Sequence, residues 1–272
     1  MNPETSIQDL YGELWAADES EIEAELARSL HPRGLDSLYD EFARLGVGAD
    51  HVVLDGGARD AAHSVKLVRR FGSHVVAVDP VLLHVERARK RVVDEGLGDR
   101  IDVAEAALES LPFDDESFDY IWCRDVLNHV ELDRGLPECK RVLRPGGSML
   151  IYQTFATDAL EPHEAERFFA AAATRAENMS PSLFEHRARA AGLEIVNCNQ
   201  LDGEWRERTL EDGSWDAVSD LLALSRLKRR EIDLVERFGR AAVEAERGGL
   251  LWGIYQILGK TCPTIYVLQR GA

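Results

Sequence analysis

Basic residues are in short supply. The 272-residue chain carries 32 Lys and Arg against 49 Asp and Glu, a formal net charge of −17. Such a surface repels a polyanion such as DNA or RNA on average. The one dense basic stretch, "RLKRRE" at 226–231, sits among acids in a helical pattern and reads as a solvated face. Cysteine is scarce too: Cys123, Cys139, Cys198 and Cys262 lie far apart, with no C-x-x-C and no paired histidine. That argues against a disulfide framework or a zinc site, and no metal is expected. Long apolar runs are missing. The longest candidate, "GGLLWGIYQILG" at 248–259, is interrupted by Gly253 and is shorter than the roughly 18 residues a membrane helix needs. The first residues, "MNPETSIQDL", lack the basic start and apolar core of a signal peptide. These absences predict a cytoplasmic protein with a small-molecule partner, no nucleic acid and no membrane.

What is present is enough apolar sequence, 45% of residues, to build a real core. Residues 1–45 read as helices broken at His31-Pro32. Strands are expected at 51–55, 74–78, 101–104, 118–123, 148–154, 194–199 and 264–269, with helices at 60–71, 82–95, 133–143 and 181–192. Strand–helix alternation with short connections predicts an α/β, doubly wound, mostly parallel sheet with helices on both faces. Residues 203–262 are too long to be a loop and read as an inserted helical layer before the last strand.

In such a sheet the ligand sits beyond the carboxyl ends of the strands, at the switch point. The first strand ends in "VVLDGG", and the second, "VVAVDP", ends at Asp79, 24 residues after Asp55. A carboxylate there accepts the ribose hydroxyls of a nucleoside. Further along come "LPFDDESFDYIW", "LNHV" and "RVLRPGGSMLIY", the last with a strong turn signal.

These five segments, in this order and spacing, resemble the class I S-adenosylmethionine-dependent methyltransferases of small molecules. The resemblance covers about residues 50–155 well and 181–200 loosely. It implies a Rossmann-like seven-stranded sheet with an antiparallel last strand, which "PTIYVLQR" supplies, and S-adenosylmethionine as cofactor, leaving as S-adenosylhomocysteine. The implied organisation is an N-terminal helical cap at 1–48, a cofactor domain at 49–202 and 263–272, and a helical insertion at 203–262. Carried over, Asp55, Gly56 and Gly57 lie against the methionine end, Asp79 takes the ribose, and Pro80 lies against the adenine. The backbone around Cys123 and Arg124 meets the amino-acid moiety. Arg59 and Ala61 stand where the family has glycines, and Ala107-Leu108 where it has an acid for the adenine amino group. The first departure is tolerable, because no pyrophosphate needs cradling and Arg59 can pair with the cofactor carboxylate. The second removes one hydrogen bond, so the site reads as a variant one.

The stretch "CRDVLNHV" resembles the acceptor site of phosphoethanolamine methyltransferases. It makes Asp125 and His129, sharing a face of a helical turn, the candidate acid–base residues, with Tyr11 as an N-terminal partner. A histidine in this pattern also commonly packs or caps. Trp15, His31, Trp252 and Tyr255 are candidate acceptor-pocket residues. Aromatic residues at helical spacing, Trp205 and Trp215 included, are first of all core. The expected function is methyl transfer to O, N or C of a small molecule, a natural-product tailoring step. The alternatives are a cofactor-binding relative that catalyses cyclisation, decarboxylation or hydroxylation, and a non-catalytic binding relative. A competing role for 203–262 is a homodimer interface.

Overall fold

The computed structural model describes Ile7 and residues 19–271. The chain divides into two compact units, Met1–Pro32 and Arg33–Ala272. In the first, helix α1 spans Glu19–Leu26. The division falls inside the 1–48 segment, because the next helix, α2 (Asp36–Arg44), packs with the sheet through Leu38, Tyr39 and Phe42.

The second unit is a seven-stranded sheet: β1 (Val52–Gly56), β2 (His74–Asp79), β3 (Ile101–Glu105), β4 (Phe118–Arg124), β5 (Leu143–Ala156), β6 (Leu193–Gln200) and β7 (Thr261–Arg270). Their spatial order is β3-β2-β1-β4-β5-β7-β6. β1 pairs in parallel with both β2 and β4, so the order reverses beside β1 and opens the crevice that a doubly wound sheet uses for ligands. β7 runs antiparallel to both β5 and β6. β6 therefore points the same way as the first five strands.

The apolar runs of the sequence are buried on both faces, as parallel strands require. Alternate residues go to opposite cores: Leu54, Ile121, Ile151 and Tyr266 to one, Val53, Trp122, Leu150 and Ile265 to the other. Helices α3 (Ala62–Phe71), α4 (Leu82–Asp94), α5 (Leu132–Val142) and α7 (Pro181–Ala190) connect the strands. The expected strands and these helices are all present, offset by a few residues. A further helix, α6 (Pro162–Ala171), follows β5. Pro162 opens it, and Glu161 and Glu164 cap it reciprocally. The segment between β6 and β7 is helical: α8 (Glu204–Glu211), α9 (Ala217–Arg229), α10 (Glu231–Phe238) and α11 (Arg240–Ile257). Among the described residues no helix is long and apolar enough to cross a membrane.

Candidate active site

The loop after β1 is built around left-handed backbone. Gly57 has φ +74, and a Cβ placed on it would sit 2.2 Å from Val126 Cγ2. Its lack of a side chain is thus dictated by the protein's own packing as well as by φ. Arg59 and Ala61 hold φ +53 and +59, so the loop keeps the left-handed turns that glycines would make freely. The backbone N–H groups of Gly57 and Ala58 both donate to Val78 O at 2.9 Å. Arg59 N–H donates to Asp79 Oδ2 at 3.0 Å. The other oxygen, Oδ1, accepts from Val81 N–H at 2.9 Å and from His84 Nδ1 at 3.0 Å. Three donors therefore fix a carboxylate that is otherwise buried at the end of β2.

Beside Asp79 opens a cavity of 860 Å³, within the range of ligand sites. Its floor is the strand ends, with Gly57, Arg59 and Asp79 toward β1 and β2, and Arg124 and Asp125 at β4. Pro80, Val81, Ala107 and Leu108 make an apolar wall. The opposite wall comes from the turn after α6 and from Gly248, Gly249 and Trp252 of α11. Gly248 makes this closure feasible, since a Cβ there would lie 2.6 Å from the Ala171 carbonyl.

Asp125 departs from the expected helical turn. It has φ +49, and residues 125–130 form bends and turns, with His129 N–H donating to Val126 O at 2.9 Å. Both side chains nonetheless line the cavity. Asp125 Oδ1 accepts from the Thr154 N–H and hydroxyl, each at 3.0 Å. Burial raises the Asp125 pKa, opposed by the neighbouring Arg124 charge and the Thr154 bonds. His129 Nδ1 lies 2.8 Å from Ala173 O. A carbonyl only accepts, so Nδ1 carries the proton and Nε2 keeps its lone pair. Arg124 lies over the Tyr152 ring at 5.4 Å, and its Nη1 donates to His63 Nε2 at 3.3 Å. His63 Nδ1 is 2.5 Å from the Tyr39 hydroxyl. Burial, then the Arg124 and Lys66 charges, push the His63 pKa down to about 3, so the ring is neutral.

Of the other sequence-predicted residues, Asp55 and Gly56 are buried and lie behind the cavity lining. Asp55 accepts from Ser64 Oγ at 2.5 Å instead. Burial pushes its pKa up to about 7, opposed by the Ser64 bond and helped by the Asp79 charge. Trp252 lines the cavity, but Tyr255 turns away and packs on Phe168, ring centroids 5.0 Å apart. Trp205 is core, stacked on Tyr152 at 4.4 Å, and Trp215 donates its indole N–H to Asp220 at 2.7 Å. His31 belongs to the first unit, with φ +55. Tyr11 and Trp15 lie outside the described residues.

The sequence reading passed over His63, His84 and Glu109, all of which line the cavity. His63 and His84 each sit in the first turn of a helix that leaves a strand end, α3 and α4, the position from which a side chain reaches back over the sheet edge. Glu109 follows the Ala107-Leu108 pair that replaces the family acid, and its Oε1 accepts from Glu131 N–H at 2.9 Å.

Fold and site together define an α/β domain with a ligand-sized cavity across the ends of β1, β2 and β4. Residues 54–151 match the family model described as a methyltransferase domain. The sequence is 38% identical over 120 residues to the methyltransferase GfsG of Streptomyces halstedii, covering 44% of this chain and 42% of that protein. The chain thus spans less than half the length of this relative. Among solved structures it resembles the [4+2]-cyclase SpnF (TM-score 0.68, 20% identity, covering 87% of this chain and 82% of that one). It also resembles phosphoethanolamine N-methyltransferase 2 of Haemonchus contortus, solved with S-adenosyl-L-methionine (TM-score 0.65, 19% identity, covering 89% and 54%). At these identities the two structures show the fold. Residues 54–151 thus carry a methyltransferase domain, and S-adenosylmethionine is the cofactor such methyltransferases use.

Proposed function

We propose that the protein transfers the methyl group of S-adenosylmethionine to a small-molecule acceptor, as a natural-product tailoring step in the cytoplasm. The observation that carries this reading is Asp79, fixed by Arg59, Val81 and His84 at the rim of a ligand-sized cavity within a methyltransferase domain.

The residues present fit the cofactor. Asp79 Oδ2, which accepts only from Arg59 N–H among the described residues, keeps a lone pair for a ribose hydroxyl. Pro80, Val81 and Leu108 offer apolar faces to the adenine, and Glu109 is the acid nearest the place the family acid vacates. Arg59, at the cavity edge with no ion pair among the described residues, suits the cofactor carboxylate. When bound, the cofactor supplies a methyl group on a sulfonium, so the transfer is an in-line displacement.

The chain's own residues then position the acceptor, exclude water and, where the acceptor carries a proton, remove it. His129 is set for this, its Nδ1–H tied to Ala173 O and its Nε2 without a partner among the described residues. Asp125, with Oδ1 held by Thr154, can orient or deprotonate an acceptor through its other oxygen. Trp252 and the α11 glycines act as a cover, which makes 203–262 the substrate-selecting insertion.

The test is incubation with a methyl-deuterated donor and an acceptor library, read by mass spectrometry. A product heavier by one labelled methyl supports the proposal. Binding of the cofactor with no labelled product across the library favours a relative that has lost methyl transfer.

A further inference from the structure

We propose that the helical insertion sets the state of Asp125 through a one-way chain of hydrogen-bond donors, from Arg206 to Gln256 to Thr154 to Asp125. Arg206, Gln256 and Thr154 are then positioning residues for the reaction. The bearing of the chain on catalysis rests on the reading of Asp125 as a group that meets the acceptor.

Each link runs in one direction only. Arginine has only donors, so Arg206 Nε, 2.7 Å from Gln256, gives its proton to the amide oxygen Oε1. That choice turns the amide nitrogen toward Thr154, and Nε2 donates to the hydroxyl oxygen at 3.3 Å. A hydroxyl carries a single proton. With a donor on one side, Thr154 sends its own proton the other way, to Asp125 Oδ1 at 3.0 Å. The Thr154 N–H reaches the same oxygen at 3.0 Å. Oδ1 ends the chain, and Oδ2 has no hydrogen-bond partner among the described residues.

The chain crosses the fold. Arg206 stands on α8, Gln256 on α11 and Thr154 on β5, and Asp125 follows the end of β4. Gln256 is 1% exposed, so both polar ends of its amide need partners, and both have one. Helix α11 also makes room for the first link. A Cβ on Gly253, three residues before Gln256, would lie 3.3 Å from the Arg206 guanidinium carbon and 2.9 Å from the Trp215 ring. Arg206 rests on that ring at 5.2 Å, and the indole N–H donates to Asp220 of α9 at 2.7 Å. Asp220 offsets part of the Arg206 charge. Contact through the chain, rather than charge at a distance, is therefore what carries the effect to Asp125.

Hydrogen bonds donated to a carboxylate favour its charged form. Burial pushes Asp125 up, and the chain pushes it back toward a carboxylate that can take a proton from an acceptor. The other ionisable groups beside Asp125 are Cys123 and Arg124 of β4 and Tyr152 of β5, with His129 lining the same cavity. None of these belongs to the insertion. Residues 203–262 thus reach Asp125 through Gln256, and the same helix that carries Trp252 over the cavity also orients the group beneath it.

The experiment follows the Asp125 carboxyl of the full chain by carbon-13 NMR titration, the signal being assigned by its loss in Asp125→Asn. Gln256→Glu keeps the size of the side chain and its bond from Arg206, but once ionised it has no proton for Thr154, whose hydroxyl is then drawn away from Asp125. Its Asp125 midpoint is expected to rise by about one pH unit, tenfold in proton affinity. Gln256→Met, neutral and without a donor, should shift it the same way by less. Thr154→Val should raise it at least as far, and Thr154→Ser should restore the wild-type value. Midpoints within about 0.3 unit of wild type in both Gln256 variants, folded by circular dichroism, overturn the proposal, even where Thr154→Val moves, because the chain then stops at Thr154. Arg206→Met, which leaves the amide unoriented, covers the case in which the Gln256 variants do not fold: a raised midpoint supports the chain and an unmoved one overturns it. Calorimetry with S-adenosylhomocysteine on the same samples keeps the two readings apart. Wild type that binds none overturns the methyltransferase reading, while the carboxyl titration still decides the chain.

Discussion

The backbone N–H of Arg59 donates to Asp79 Oδ2 at 3.0 Å, so the loop that ends β1 and the acid that ends β2 form one rigid unit. The carboxylate is oriented before any ligand arrives, which limits the ordering cost of binding. Asp79→Ala is expected to weaken S-adenosylhomocysteine binding more than tenfold. A charge-assisted bond contributes about 1.5–3 kcal/mol, and the β1 loop also loses its anchor. Asp79→Asn, which keeps one acceptor oxygen, should fall between. Calorimetric affinities that match wild type in both variants would remove Asp79 from the site.

The loop itself separates two demands. Gly57→Ala meets both a left-handed φ and Val126 at 2.2 Å, and should lower stability by roughly 1–3 kcal/mol along with cofactor affinity. Arg59→Gly removes a strained left-handed residue, φ +53, so its melting temperature should not fall below wild type. Its cofactor affinity should drop several-fold as the cation is lost. An Arg59→Gly protein that melts lower yet binds the cofactor normally would reverse both assignments.

His129→Ala and Asp125→Asn address the chemistry. Loss of a general base typically costs about a hundredfold in rate. Methyl transfer in the affected variant should fall by that order, with S-adenosylhomocysteine affinity within about threefold of wild type. The pair is informative because the two side chains are held independently, one by Ala173 O and one by Thr154. Near-normal turnover in both variants would mean that positioning alone carries the reaction.

Asp55 gives a prediction in pH. Its folded pKa, about 7, lies above its ordinary value of 3.8 because burial disfavours the charge. The folded state therefore holds a proton that the unfolded chain has released, and stability from this group falls as pH rises between about 4 and 7. The full penalty is on the order of 4 kcal/mol. Asp55→Asn keeps an acceptor for Ser64 and carries no charge. It should raise stability at pH 8 relative to wild type and flatten that part of the profile, as read by urea denaturation across pH. Parallel profiles for the two proteins would contradict a protonated Asp55.

How far the sequence speaks for itself varies by element. The β1, β2 and β4 runs are legible because strands buried on both faces need uninterrupted apolar residues, and each ends in the polar residue that marks the ligand edge. Helix α6 is less visible to periodicity, and its signal is the Glu161-Pro162-Glu164 start. Asp79 is legible from its place at a strand end. Asp55 also closes an apolar run and looks the same in sequence, yet it lies in register with Ala77, two residues before Asp79, and bonds Ser64 on α3 inside the core. Trp252 and Tyr255 are three residues apart on α11, and only tertiary packing decides that the first lines the cavity. His63 and His84 are local in helix position but reach the site only once α3 and α4 are laid back on the sheet.

The central claim is that this sheet edge is a working cofactor site despite the changed glycine positions. It is tested most directly by calorimetric titration of the folded protein with S-adenosylhomocysteine up to millimolar concentration. The account predicts one saturable site per chain, weakened by Asp79→Ala. A flat titration, with folding shown by circular dichroism on the same sample, would contradict it.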